Sequence, residues 1–123
     1  MELFFLALAD RTRLRLLNLI AEDEVCVCFF VEVLQINQPK ISRHLAYLRR
    51  AGLVDTRRQG KWMHYRITPP GEEHAKRIFV QVMNWLKDDR DMQRDRSRLV
   101  SLCCSPRAPV QIQSAPRPAS LTL

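Results

Sequence analysis

The hydrophobic and polar positions of the chain follow mostly the period of an α-helix. A first, apolar helix is predicted over residues 2–9, and a second begins after Asp10, a residue type that caps helix N-termini. The apolar positions of the second helix are Leu14, Leu17 and Ile20. Residues 25–34 predict a third, short helix, and a turn at Asn37 and Gln38 separates it from a fourth. The third and fourth helices are therefore expected to form a helix-turn-helix.

Residues 38–54 have the clearest amphipathic pattern. One face of the predicted helix carries Ile41, Leu45 and Leu48. The other face carries Gln38, Lys40, Ser42, Arg43, His44, Tyr47, Arg49 and Arg50. Pro39 suits the first turn, where its missing N–H costs nothing, and Gly52 suits a helix end that needs a positive φ. A short helix with a basic outer face is typical of the second helix of a helix-turn-helix, which enters the major groove of DNA.

Two segments rich in β-branched and aromatic residues follow this helix, at residues 53–58 and 62–68. The turn Gln59-Gly60-Lys61 separates them, so the pattern predicts a β-hairpin, or wing, with a basic tip. Residues 38–61 contain seven Lys or Arg and one acid, Asp55, which makes this segment +6 in a chain of net charge +7. The positive charge is therefore concentrated where contacts to the phosphates of DNA are expected.

Residues 72–104 predict a long helix that is interrupted near residues 87–91. Its apolar stripe consists of Ile78, Val82, Trp85 and Leu86, widened by Phe79 and Met83. A stripe this broad needs a large partner surface. We therefore expect a homodimer that forms through the first and last helices, with packing into the core of one chain as the alternative. The folded domain is expected to cover residues 1–104. Residues 105–123, with four prolines and no acid, are expected to be a disordered tail.

Length and composition limit the class of protein. A chain of 123 residues with 46% hydrophobic residues has room for one domain, and no apolar run approaches the roughly 18 residues that a membrane helix needs. No nucleophile is paired with a base and no glycine-rich phosphate loop is present, so we expect neither an enzyme nor a required cofactor. The four cysteines are expected to be reduced thiols in a cytoplasmic protein.

The cysteines form two pairs, Cys26 with Cys28 and Cys103 with Cys104. Thiolates prefer soft ions, which include zinc, cadmium, lead, copper(I) and trivalent arsenic or antimony. Residues two apart on a regular helix point about 200° from each other, so Cys26 and Cys28 can hold one ion only at a distorted or frayed helix start. Cys103 and Cys104 lie at the end of the last helix, where neighbouring thiols can both reach one ion.

Taken together, these motifs resemble the ArsR/SmtB family of winged helix-turn-helix repressors. The resemblance covers roughly residues 3–103, and the residues that carry it are 6–17, Gln38, Pro39, 41–48, 51–54, 57–62 and 65–67. It implies a mainly α fold with a β-hairpin wing. It also implies a homodimeric, metal- or metalloid-responsive repressor that leaves its double-stranded DNA operator when an inducer binds.

The resemblance also suggests which residues carry the function. Contacts to or near the bases are expected from Gln38, Ser42, Arg43 and His44, and contacts to phosphates from Lys40, Tyr47, Arg57, Arg58 and Lys61. Residues 24–28 resemble the metalloid signature of the family, but Val31 stands where a third cysteine normally follows. Because of this resemblance and the two thiol pairs, the favoured inducer is a trivalent arsenical, either arsenite or an organoarsenical. Cys103 and Cys104 are the favoured ligands, and Cys26 or Cys28 could join them.

Three other interpretations remain open. One is a zinc-, cadmium- or lead-responsive repressor of the same fold. A zinc site on the last helix would need a second histidine beside His74, but Trp85 occupies the expected neighbourhood. Cys103 and Cys104 could instead form a thiol redox sensor. The chain could also be a DNA-binding module in which the cysteines have no regulatory role.

Overall fold

The computed structural model of the chain describes residues 1–104 and 115–119. The elements follow one another as α1 (Glu2–Leu8), α2 (Arg11–Ile20), β1 (Glu24–Cys26), α3 (Val27–Leu34), α4 (Gln38–Arg50), β2 (Val54–Gln59), β3 (Trp62–Ile67), α5 (Glu73–Asp88) and α6 (Arg90–Cys104). This arrangement confirms the predicted winged helix-turn-helix, with α3 and α4 as the helix pair and β2 and β3 as the wing.

Side-chain caps define the start of the two helices that matter most for the fold of the DNA-binding unit. Asp10 accepts a hydrogen bond of 3.0 Å from the backbone N–H of Arg13, as predicted for the start of α2. Asn37 accepts one of 3.0 Å from the N–H of Lys40 at the start of α4. Gly52 follows α4 with a φ of +77°, which confirms the need for a glycine there.

The hydrophobic core lies between α2 and the buried faces of α3 and α4. Leu17 and Ile20 are fully buried as expected, whereas Leu14 is only partly buried. The other large, fully buried side chains of the four helices α2, α3, α4 and α6 are Leu16, Leu19, Phe29, Phe30, Ile41, Leu45, Leu48 and Leu99. Helix α2 contacts α1, α4, α5 and α6, so it is the central element on which the others pack.

The prediction of one helix over residues 25–34 was wrong at its beginning. Val25 and Cys26 belong to strand β1, which completes a three-stranded antiparallel sheet of order β1-β3-β2. Val25 lies opposite Tyr65 and is fully buried, and Cys26 lies opposite His64. Strand β1 pairs with backbone groups that β3 would otherwise expose as an edge strand. Helical periodicity cannot predict this pairing, because it joins segments that are distant in sequence.

The predicted interruption of the last helix is confirmed, and it divides the segment into two separate helices, α5 and α6. Helix α6 packs against α2 and α3. Arg15 forms a two-pronged ion pair with Asp95, with Nε and Nη2 at 2.7 and 2.9 Å from the carboxylate oxygens. Asn18 donates a hydrogen bond of 2.9 Å to the carbonyl of Met92. These contacts hold α6 against α2, where Leu99 is buried in the core.

Helix α5 keeps an uncovered apolar surface. Phe79 and Leu86 are buried against the rest of the chain, whereas Ile78 and Trp85 are 40% and 75% exposed. On α1, Phe5 and Leu6 are also largely exposed. The homodimer through these helices stays a prediction.

Two other predictions concern the C-terminal tail and membrane-spanning segments. The expected tail, residues 105–123, falls largely outside the described residues; within 115–119, Ala115 and Pro118 are buried. Among the helices in the described part of the chain, none combines the length and apolar character that a membrane span requires.

Candidate nucleic-acid interface and thiol pair

The N-terminal half of α4 presents an exposed polar surface. Gln38, Lys40 and Arg43 are exposed, and Ser42 is half-buried beside them. Ile41, Leu45 and Leu48 anchor the opposite face of the helix in the core. Because the first turns of a recognition helix contact the base edges, this surface has the composition and position that reading DNA requires.

His44 and Tyr47 lie on the side of α4 that faces α2. The His44 side chain is only 17% exposed, and its Nδ1 lies 3.4 Å from Nη1 of Arg13 and 3.9 Å from Oδ1 of Asp10. Burial lowers the pKa of His44 below its ordinary value, more than the nearby Asp10 raises it. Two guanidinium groups lie over the Tyr47 ring, that of Arg13 at 4.3 Å and that of Arg50 at 5.2 Å from the ring centre. The structure therefore separates these two side chains from Gln38 and Arg43.

The three predicted cations of the wing also differ in their surroundings. Arg58 and Lys61 are exposed and make no ion pair with an acidic side chain among the residues that the structure describes. Arg57 instead donates a hydrogen bond of 2.7 Å to Glu24 of β1. This hydrogen bond lowers the pKa of Glu24, so the pair stays ionised. Arg57 therefore links the outer strand β2 to β1 across β3. Sequence reasoning did not pair Arg57 with Glu24, because the two residues are 33 positions apart.

Cys26 and Cys28 are brought together at the junction of β1 and α3. Their sulfur atoms lie 3.1 Å apart, with the Cys28 thiol donating to the sulfur of Cys26. Cys26 is the last residue of β1 and the N-cap of α3, with extended angles of φ −69° and ψ 141°, and only Cys28 lies within the helix. The geometry of a regular helix therefore does not apply to this pair, and the distorted helix start that a shared ion would require is present.

The surroundings of the two thiols make Cys26 the more acidic one. The hydrogen bond from Cys28 and the backbone N–H groups of Cys28, Met63 and Val27 lower the pKa of Cys26 to about 7, against the opposing effect of burial. The same hydrogen bond, burial and the charge of Cys26 raise the pKa of Cys28. Around neutral pH the pair can therefore hold one thiolate and one thiol, which is a nucleophilic arrangement.

We predict that thiolate absorbance in the ultraviolet rises with a midpoint near pH 7 as the reduced protein is titrated. Because the folded-state pKa of Cys26 lies below the unfolded value, its stabilising contribution is present above the unfolded pKa and is lost as pH falls through about 7. Cys26→Ser should remove the neutral transition and Cys103→Ser should retain it. A first thiolate transition at the ordinary cysteine pKa, about 8.5, would contradict this prediction.

The second predicted pair is placed differently. Cys103 is buried in the core on α6, a helix that packs against α3. The side chain of Cys104 lies outside the described residues. Within the described part of the chain, no three His, Cys, Asp or Glu side chains come together as a metal-binding group. His74 lies exposed near the start of α5. The described side chains thus offer a two-sulfur site at Cys26 and Cys28.

Sequence reasoning also missed Arg13. This arginine is within the segment of residues 6–17 that carries the family resemblance, but its spacing assigns it neither to the core nor to the DNA-binding surface. In the structure it contacts both His44 and Tyr47.

Comparison with known proteins places these features in a family. The family model described as "Bacterial regulatory protein, arsR family" matches residues 10–56. The arsenic resistance transcriptional regulator ArsR1 of Pseudomonas putida is 40% identical over 107 residues, which cover 86% of this chain and 82% of that protein. The arsenical resistance operon repressor of Escherichia coli is 42% identical over 102 residues, covering 82% of this chain and 86% of that protein.

Solved structures agree with the fold. HlyU from Vibrio cholerae is 27% identical, with a TM-score of 0.59 over 68% of this chain and 88% of its own. The homodimeric winged helix-turn-helix domain of Mb0332 from Mycobacterium bovis, a possible ArsR-family regulator, is 31% identical. Its TM-score is 0.57 over 71% of this chain and 78% of its own.

Proposed function

The chain belongs to the ArsR family of DNA-binding transcriptional regulators, which are not enzymes, and on that premise we propose that this repressor leaves its operator when a trivalent arsenical binds Cys26 and Cys28. The observation that carries the proposal is the separation of 3.1 Å between the two sulfur atoms. The similarity to arsenic-resistance regulators supports an arsenical as the inducer.

The chemistry of two thiols selects a particular form of arsenic. A monosubstituted arsenical, R–As(OH)₂, condenses with two thiols to give R–As(S–Cys)₂. Each hydroxyl group takes up one thiol proton and leaves as water. The carbon substituent occupies the third position of arsenic, so no third cysteine is needed where Val31 stands. The acidic Cys26 supplies the first thiolate near neutral pH. We therefore propose an organoarsenical as the preferred inducer, ahead of arsenite.

The separation of the sulfurs also bears on the choice of ion. Two sulfur ligands of a tetrahedral zinc ion, each at about 2.3 Å, lie about 3.8 Å apart. The observed 3.1 Å is shorter, so the two sulfurs would have to move apart to hold a tetrahedral zinc ion. Zinc also lacks two further ligands within the part of the chain that the structure describes.

The location of the pair provides a route to the DNA-binding surface. Cys26 belongs to β1, which pairs with β3 of the wing, and Cys28 belongs to α3, which packs against α4. Arsenic would replace the S–H···S hydrogen bond by two covalent bonds and so change the junction between the wing sheet and α3. An inducer works only if it binds the DNA-free form more tightly than the DNA-bound form. The proposal therefore requires that the changed junction fit the DNA-free form better than the DNA-bound form.

On DNA, we propose a homodimer that places its two α4 helices in successive major grooves, with half-site centres about 34–36 Å apart. The exposed apolar side chains of α1 and α5 supply the subunit surface. The proposed contacts to DNA come from Gln38, Lys40, Ser42, Arg43, Arg58 and Lys61.

The proposal is tested by fluorescence anisotropy of reduced protein on a labelled duplex from its own promoter. We expect a phenyl-substituted trivalent arsenical to release the DNA and an excess of a small dithiol to restore binding. Pentavalent arsenate, which lacks the affinity for thiols, is the matched control and should leave the complex intact. Release by zinc or by peroxide, with none by the phenyl-substituted trivalent arsenical, would replace this proposal by a zinc or a redox regulator.

A further inference from the structure

One guanidinium group, that of Arg13, joins three helices. From α2, its Nε donates to the carbonyl of Ala7 at 2.9 Å and its Nη2 to the carbonyl of Leu6 at 2.7 Å, both on α1. On its other side it lies 4.3 Å from the centre of the Tyr47 ring and 3.4 Å from Nδ1 of His44, both on α4. The side chain is only 14% exposed, so it is not a cation reaching freely into solvent.

The contacts with α1 satisfy a need of that helix. The last four carbonyl groups of a helix have no partner within it, and a cation beside them is stabilised by the helix dipole. Helix α1 has no basic residue in its last turn, and the N–H of Ala9 reaches only the carbonyl of Leu6. Arg13 therefore supplies the missing cation and the second donor from the next helix along the chain.

The contacts with α4 also require an arginine. A guanidinium group only donates hydrogen bonds, so Nδ1 of His44 must accept, and burial favours the neutral imidazole that can do so by lowering the pKa of His44. The flat guanidinium can stack on Tyr47 while its edge donates to α1, which the compact ammonium group of a lysine cannot do. Tyr47 and His44 thus hold α4 at a defined position relative to Arg13.

We infer that Arg13 is a positioning residue for DNA recognition, which fixes the recognition helix α4 to the first helix α1. This inference rests on the proposed function, because it matters only if α4 reads DNA. The exposed residues Phe5 and Leu6 belong to α1, so the link also joins the reading helix to the proposed subunit surface. His44 and Tyr47 then contribute to DNA binding through Arg13 rather than through contacts to bases or phosphates.

Arg13→Met keeps the length and the apolar part of the side chain and removes the guanidinium. Arg11→Met is the matched control, because Arg11 lies on the same helix but pairs with Asp91 of α6 at 2.7 Å. Arg13→Lys keeps the charge and tests whether charge alone suffices. All three variants are compared by circular dichroism, by hydrogen exchange without DNA, and by affinity for promoter DNA and for a scrambled duplex of equal length.

We expect Arg13→Met to weaken binding to the promoter about tenfold, the scale of one lost base contact, with little change on scrambled DNA. Arg13→Lys should behave like Arg13→Met, and Arg11→Met like the parent. In the DNA-free protein, amides of α1 and of the His44–Tyr47 turn should exchange faster in Arg13→Met only. An equal loss on both duplexes would make Arg13 a phosphate contact and overturn the inference.

The hydrogen-exchange arm separates this inference from the proposed function. If the parent protein shows no preference for its promoter over scrambled DNA, the proposed function fails, whatever the state of the link. If the parent prefers its promoter but exchange in α1 and α4 is unchanged by Arg13→Met, the link is absent and the inference fails alone. If Arg13→Lys kept both the promoter affinity and the hydrogen exchange of the parent, the inference would also be contradicted, because a positive charge alone would then suffice.

Discussion

Cys26→Ser and Cys28→Ser, singly or together, are expected to abolish the release of promoter DNA by a phenyl-substituted trivalent arsenical. The two thiols are 3.1 Å apart and hold arsenic only as a pair, so losing one leaves a single, weak sulfur ligand. The affinity ratio between arsenical-free and arsenical-bound protein should fall from the usual range for such coupling, about 5–150-fold, to about 1.

Each cysteine variant is compared with its own arsenical-free affinity, measured by anisotropy, so that any direct effect on DNA binding cancels. The matched control is Cys103→Ser/Cys104→Ser, which removes the pair that the sequence favoured. Release that persists in this control supports the site at Cys26 and Cys28. Release that disappears there and persists in Cys26→Ser/Cys28→Ser would move the site to the end of α6 and contradict the proposal.

Arg43→Ala is expected to weaken promoter binding by about 1–3 kcal/mol and to relax the preference for one base pair of the site. The guanidinium of Arg43 is exposed on the N-terminal half of α4, where a forked donor can bond two acceptors of a guanine. Affinities for a set of duplexes with single base-pair changes would identify the position that Arg43 reads.

Arg58→Ala on the wing is the control for the loss of one positive charge. Arg58 is exposed on β2, and as a phosphate contact it should weaken all duplexes about equally and reduce the salt slope by about 1. If Arg43→Ala gives this uniform pattern instead, Arg43 contacts phosphate, and the base contacts must come from Gln38 or Ser42.

Much of the fold could be predicted because its signals are local. Asp10 caps α2, Gly52 ends α4 at a positive φ, and Gly60 forms the turn of the wing at a φ of +60°, each for a reason contained in a few neighbouring residues. The break between α5 and α6 was predicted near its observed place for the same reason. The return of α6 onto α2 was not, because Arg15 and Asp95 are 80 residues apart.

The same difference between local signals and long-range contacts applies to the candidate sites. Helical periodicity separated the buried face of α4 from its outer face, but it could not show that His44 and Tyr47 turn toward Arg13. The spacing of Cys26 and Cys28 argued against a shared ion as long as both were taken to lie on one helix.

The sequence by itself determined the class of the protein, the helix-turn-helix with its wing and the location of the positive charge. The helices and the wing depend on periodicity, caps and turn residues, which act over one or two turns of chain, whereas the class of the protein was implied by the family resemblance. Only the tertiary structure decided which side chains meet. The sulfurs of Cys26 and Cys28 face each other because strand β1, which pairs with β3, ends at Cys26 and helix α3 begins at Val27. The Arg13 guanidinium reaches α1 and α4 because both pack on α2. The pairing of β1 with β3 and the packing of α4 on α2 join segments that are distant in sequence, and no local pattern encodes them.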